Sequence, residues 1–137
     1  MRILGLDPGS KRVGVALSDE LQMIAQPLEY IPAEPEDELL AKLKELVTKQ
    51  GVETVIVGMP RNMDGSYGPA AEKSKAFISK LEETLGVPIR AWDERLTSAQ
   101  ANRILIEGNV SRKKRKEKVD KMAAAILLQS FLDARSA

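Results

Sequence analysis

Residues 2–18 place the tightest constraint on what this chain can fold into. An apolar run, Ile3, Leu4 and Leu6, ends in Asp7, and Pro8-Gly9-Ser10 then breaks the chain. Beyond the break Val13, Val15 and Leu17 alternate with Gly14, Ala16 and Ser18. Period-two alternation on both sides of a Pro-Gly break predicts a β-hairpin. The same period puts Asp7 on the face of Ile3 and Gly5, so a carboxylate continues a packed surface. Removing a carboxylate from water is costly unless a cation or hydrogen bonds compensate it. One compensation is structural, with the side chain accepting amides of its own turn. The other is a cation held at a functional site.

A chain of 137 residues fits one domain, 1–137, which buries roughly two thirds of its unfolded surface. It contains neither an apolar run of about 20 residues nor the basic-then-apolar layout of a signal peptide. The expectation is a soluble cytoplasmic protein with no membrane partner. The chain has no cysteine and no histidine. Disulfides, thiolate nucleophiles and cysteine-ligated zinc are therefore excluded, and the commonest general base is missing. Carboxylates, Lys, Tyr, hydroxyls or a hard cation held by oxygen atoms remain for catalysis, which favours Mg2+ or Mn2+ over zinc.

Residues 22–31 predict a third strand, with Pro27 marking an edge or an interruption. After the Pro32–Pro35 break, Leu39, Leu40, Leu43, Leu46 and Val47 fall on one helical face, and Gly51 stops that helix. Val52–Gly58 reads as a strand buried on both sides, as in a parallel sheet, and 59–67 as a polar loop. A helix opens near Pro69, carries Phe77, Ile78, Leu81 and Leu85, and ends at Gly86. Pro88–Trp92 is a short strand, and Thr97 with Gln100 starts a further helix closed by Gly108. The charged run Arg112–Lys118 reads as a loop before a last helix from about Val119 to Ala134. The class is α/β, a mixed sheet with helices on its faces.

Three acidic stations stand out. Asp7 ends the first strand, and the pair Asp93-Glu94 ends the strand before Thr97. Asp120 shares a helical stripe with Ala124, Leu127 and Phe131, spaced four, three and four; the stripe is otherwise apolar and should face the sheet. A charge there breaks the binary pattern, although a place in the first turn would also stabilise the helix dipole. Carboxylates at the carboxyl ends of strands point into the crevice where α/β sheets bind ligands. Several packed together repel, and divalent cations resolve the conflict. Two such ions about 4 Å apart could activate a water on a phosphodiester.

Cations surround these stations. Lys11, Arg12, Arg61 and Arg95 lie within a few residues of strand ends, and Asn62 is a further candidate for substrate contact. Net charge is only +1, yet 29–53 hold seven acidic and three basic residues while 112–118 read Arg-Lys-Lys-Arg-Lys-Glu-Lys. A basic rim at Arg112, Lys113, Lys114 and Arg115 around an acidic centre suits a polyanionic substrate cut by metal-activated water.

Four segments resemble the pre-16S rRNA nuclease family, also called Holliday-junction-resolvase-like, within the ribonuclease-H-like superfamily. They are Leu-Asp-Pro-Gly-Ser-Lys-Arg-Val-Gly-Val-Ala (6–16), Val-Gly-Met-Pro-Arg-Asn-Met-Asp-Gly-Ser (57–66), Asp-Glu-Arg-Leu-Thr-Ser (93–98) and Asp-Lys-Met-Ala-Ala (120–124). Together they span nearly the whole chain in the family's order. Met59 stands where the family pattern has Leu, a volume-conserving exchange. The resemblance implies a single ribonuclease-H-like nuclease domain with a five-stranded mixed sheet, its first three strands antiparallel and the rest parallel. It implies Asp7, Glu94 or its neighbour Asp93, and Asp120 as metal-binding acids. The implied role is maturation of the 5′ end of 16S ribosomal RNA.

Structured RNA, within ribosomal precursor particles, is the expected partner of a monomer or homodimer. Resolution of branched DNA junctions by the same acids is the alternative, and would need a dimer to place two cuts symmetrically. A non-catalytic RNA-binding assembly factor is a third reading. A sugar-kinase-like ATPase fits least, since it needs two such domains around its nucleotide.

Overall fold

Alternation at the start of the chain becomes three antiparallel strands in the computed structural model, which describes residues 1–9, 11–59, 68–93 and 112–136. For 69–70, 93, 112–121 and 136 the description covers the backbone only. Strand β1 (Arg2–Pro8) pairs antiparallel with β2 (Arg12–Ser18), which pairs antiparallel with β3 (Ala25–Pro32). Helix α1 (Glu36–Gln50) returns the chain to β4 (Val52–Met59), parallel to β1. Helix α2 (Pro69–Leu85) leads to β5 (Ile89–Asp93), parallel to β4. Helix α3 (Arg112–Ser136) follows. The strand order is β3-β2-β1-β4-β5, a five-stranded mixed sheet of the expected topology.

Local chemistry explains the boundaries. Glu36, Asp37 and Glu38 meet the positive end of α1, and Gly51 at φ 63° closes it by donating its amide to Val47. Pro69 opens α2 and Gly86, at φ 71°, ends it. Strand β3 begins at Ala25 rather than at residue 22. The Asp19 carboxylate takes the Met23 and Ile24 amides at 2.8 and 3.0 Å, so these residues make a turn instead of a ladder. Pro27 sits on the outer strand, and the ladder slips between Val15 and Ala16, which pair with Glu29 and Pro27.

Each sheet face has its own cover. Leu4, Leu6, Val13, Val15, Val55 and Val57 pack on α1 and α2 through Leu39, Leu43, Leu81 and Leu85. Ile3, Ala16 and Ile56 pack on α3 through Ala124, Ala125, Leu128, Phe131 and Leu132. The buried stripe of α3 is therefore broader than the four-three-four spacing, although Leu127 is buried as well. Its small residues matter because the helix seats directly on the sheet. A Cβ added to Gly5 would lie 2.8 Å from Leu128 Cβ and 3.3 Å from the Ala124 carbonyl oxygen.

The expected start of the last helix needs correction. The backbone is helical from Arg112, so the basic run is the opening of α3 rather than a loop before it. Lys, Arg and Glu are good helix formers, and no Gly or Pro interrupts 112–119. Strands β1 and β5 run parallel with β4 between them. The loop expected over 59–67 yields Met59 to β4, while 60–67 and the helix expected from Thr97 lie outside the described residues.

Candidate active site

Period two in β1 sends Ile3, Gly5 and Asp7 to the α3 face, at the carboxyl end of the strand. Asp7 pairs with Gly14 of β2, and Gly14 pairs with Tyr30 of β3. On the other side Leu6 pairs with Val57, and Gly58 pairs with Trp92. Asp7 thus stands just past the last β1–β4 pair. Tyr30, Gly14 and Asp7 make one row from β3 to β1, and Gly58 and Trp92 make another from β4 to β5. Gly14 leaves a slot beside the carboxylate, and the Tyr30 ring stands beyond it.

Around Gly14 the packing is close without being strained. A Cβ there would meet Tyr30 Cε1 at 3.4 Å, the Ala124 Cβ at 3.5 Å and the Asp7 Cβ at 3.7 Å. Asp7 therefore faces the same narrow space as the helix and the tyrosine. This space opens into a cleft of about 260 Å³ lined by Asp7 from β1, Gly9 and Lys11 from the first turn, Arg12 and Gly14 from β2, Tyr30 from β3, and Ala123 from α3. The turn is closed by the Gly9 amide donating to the Arg12 carbonyl at 3.0 Å, and Ala33 N–H donates to the Lys11 carbonyl at 2.9 Å. The main chain of two cationic residues is thereby held at the cleft that Asp7 lines. The Arg12 guanidinium carbon lies 4.3 Å from the Tyr30 ring centroid, a cation–π contact. Among the described residues, none donates a hydrogen bond to the Asp7 carboxylate.

The other stations are placed by backbone. Asp93 ends β5, opposite Met59 in the ladder, at the same carboxyl edge of the sheet as Asp7. Asp120 precedes Ala124 by four residues in α3, one helical turn away. Along α3, Leu128 lies over Gly5 and Ala124 lies between Gly5 and Gly14. The next turn therefore advances toward the carboxyl edge, where Asp7 stands. The backbone of Arg112, Lys113, Lys114 and Arg115 forms the first turns of that helix. Glu94, Arg61, Asn62 and Arg95 lie outside the described residues. Among the described residues no group of three or more potential metal ligands occurs, and no helix is long and apolar enough to cross a membrane.

Tyr30, Gly14, Gly58 and Trp92 do not stand out by their sequence context as site residues. A glycine flanked by Val13 and Val15 does signal a close approach. Tyr30 gives no such signal, because its place beside Asp7 depends on the slipped β2–β3 register.

Solved structures place this architecture. Over 100% of this chain and 96% of the other, the fold matches Thermus thermophilus RuvC in complex with a Holliday junction substrate, with TM-score 0.57 and 20% sequence identity. The fowlpox virus Holliday junction resolvase matches with TM-score 0.57 and 16% identity, over 98% and 99% of the two chains. Sheet order and these matches define an α/β protein with the ribonuclease-H-like fold of RuvC-type resolvases. The family model RuvX, described as Holliday junction resolvase, matches residues 1–134, and the chain belongs to this family. A Halothermothrix orenii relative is 53% identical over 133 residues, covering 97% of this chain and 95% of its own. One from Geobacillus kaustophilus is 50% identical over 137 residues, covering 98% and 99%. Both carry the name "Putative pre-16S rRNA nuclease".

Proposed function

We propose that this chain is a cytoplasmic, metal-dependent endonuclease that processes the 5′ end of pre-16S ribosomal RNA, working as one domain over 1–137. One observation carries the reading. Asp7 stands at the carboxyl edge of the central strand, Gly14 beside it, in a cleft it shares with Lys11 and Arg12. The names of relatives at 50–53% identity supply the substrate.

The donor set suits a hard cation. Every candidate ligand offers oxygen, and the chain has no imidazole or thiolate that would favour a softer ion. Asp7, Glu94 and Asp120 would hold Mg2+ or Mn2+. Of the adjacent pair we assign Glu94 over Asp93. Arg90 and Trp92, on the strand that leads into this pair, stand on the α3 face against Phe131. When bound, the metal supplies a water acidic enough to deprotonate near neutrality and a positive field for the phosphodiester. Lys11 and Arg12 draw the phosphate into the cleft, with Arg61, Asn62 and Arg95 completing the near contacts. Arg112, Lys113, Lys114 and Arg115 take more distant phosphates, which positions the strand without reading its sequence.

A second reading, cleavage of four-way DNA junctions, is favoured by the family's description as a Holliday junction resolvase. It requires a homodimer, whereas trimming one RNA end needs only a monomer. Purified protein with Mg2+ should cut a pre-16S leader RNA and leave a four-way DNA junction largely intact. Excess chelator, or Asp7→Asn in a folded protein, should stop the cutting. Undiminished cleavage in chelator would contradict the metal-dependent reading, and preferential junction cleavage would favour the second one.

A further inference from the structure

Resting on that nuclease reading, we infer that Tyr30 is a positioning residue, its ring holding the Arg12 guanidinium over the Asp7 cleft as a ready-made seat for a substrate phosphate. Arg12 and Tyr30 come from adjacent strands, with Arg12 opposite Pro32 and Gly14 opposite Tyr30. They are therefore diagonal neighbours on one face, within reach of a long and an aromatic side chain. The guanidinium carbon sits 4.3 Å from the ring centroid. Among the described residues no acceptor takes its N–H groups and no carboxylate pairs with it. Stacking leaves the planar fork of donors free at its edge, the geometry that grips two phosphate oxygens at once.

The ring itself is partly enclosed. Tyr30 is half-buried, and its Cε1 lies 3.4 Å from where a Gly14 Cβ would be. The same absent Cβ would be 3.7 Å from the Asp7 Cβ. Gly14 thus lets the tyrosine that steers the cation and the acid share one small space. An exposed arginine with an unrestrained stem would lose rotamer freedom on gripping a phosphate, and a stacked one has already lost much of it. The contribution belongs to binding, so it appears in KM and affinity rather than in kcat.

A double-mutant cycle tests this on the full chain, with a pre-16S leader RNA cut in Mg2+ and bound in its absence. Tyr30→Leu should raise both KM and the dissociation constant about threefold to tenfold with little change in kcat. Tyr30→Phe, which keeps the ring, should restore most of the loss. In an Arg12→Ala background Tyr30→Leu should add nothing further. A Tyr30→Leu effect of the same size without Arg12, a loss confined to kcat, or no loss at all would overturn the assignment. These outcomes leave the nuclease reading standing as long as the wild type cuts RNA. A wild type that binds the RNA but never cuts it sinks the nuclease reading while the cycle on binding still decides the role of Tyr30. A wild type that neither binds nor cuts sinks both.

Discussion

Gly5 and Leu128 hold the sheet and α3 in direct contact: a Cβ on the glycine would sit 2.8 Å from the leucine's. Real Cβ atoms do not approach so closely, and the obstacle is the base of a fully buried side chain with no freedom to swing aside. Gly5→Ala must therefore displace α3 from β1. Overpacking of this kind costs about 1–3 kcal/mol, so urea denaturation should register a lower midpoint at unchanged slope. Gly14→Ala, where the nearest neighbouring atoms are 3.4–3.7 Å away, should be clearly milder.

Phe131 anchors the other half of that helix. Its ring meets Trp92 edge-to-face at 5.3 Å, and the Trp92 indole N–H donates to the Ser130 hydroxyl at 3.2 Å. Phe131→Ala removes a buried aromatic and leaves a cavity, at a cost of roughly 3–5 kcal/mol. The thermal transition should fall accordingly.

Asp19 supplies a test by pH. Amides of Ile24 and Met23 donate to its carboxylate and hold its pKa below the ordinary 3.8. A depressed folded-state pKa means stability that is present above the unfolded value and lost as pH falls through the folded one. Wild type should therefore exceed Asp19→Asn in urea midpoint near neutrality, and the gap should close as pH drops below about 4. A gap that does not change with pH would contradict the charge-assisted turn.

The opening of α3 carries a fourth prediction. Replacing Arg112, Lys113, Lys114 and Arg115 together by Ala keeps good helix formers in place and removes four positive charges. RNA affinity should fall, and the slope of log affinity against log salt should flatten by about 0.7–0.9 for each phosphate that is no longer neutralised. An unchanged slope would make this turn a solubilising surface.

Much of the fold is legible in the sequence because strands and helices announce themselves by period. The alternation around Pro8-Gly9 puts Asp7 on a packed face, and Gly51 and Gly86 mark the helix ends where the structure has them. What escapes depends on register or on competing signals. Tyr30 reaches the Asp7 row only through the slip that pairs Val15 with Glu29 and Ala16 with Pro27, and no local pattern encodes that slip. The start of α3 is obscured because a dense run of like charge reads as loop while the same residues favour helix. Asp19 turns residues 22–24 out of β3 by capturing two amides, a side-chain effect that alternation alone does not reveal.

The proposed mechanism requires folding to bring Asp7, Glu94 and Asp120 around shared metal. A crystal soaked in Mn2+ and read by anomalous scattering tests it most directly. Mn2+ is expected within about 2 Å of carboxylate oxygens of Asp7 and Asp120. A protein that cuts RNA only with Mn2+ yet shows its manganese away from Asp7, with Asp120 out of reach, would contradict it.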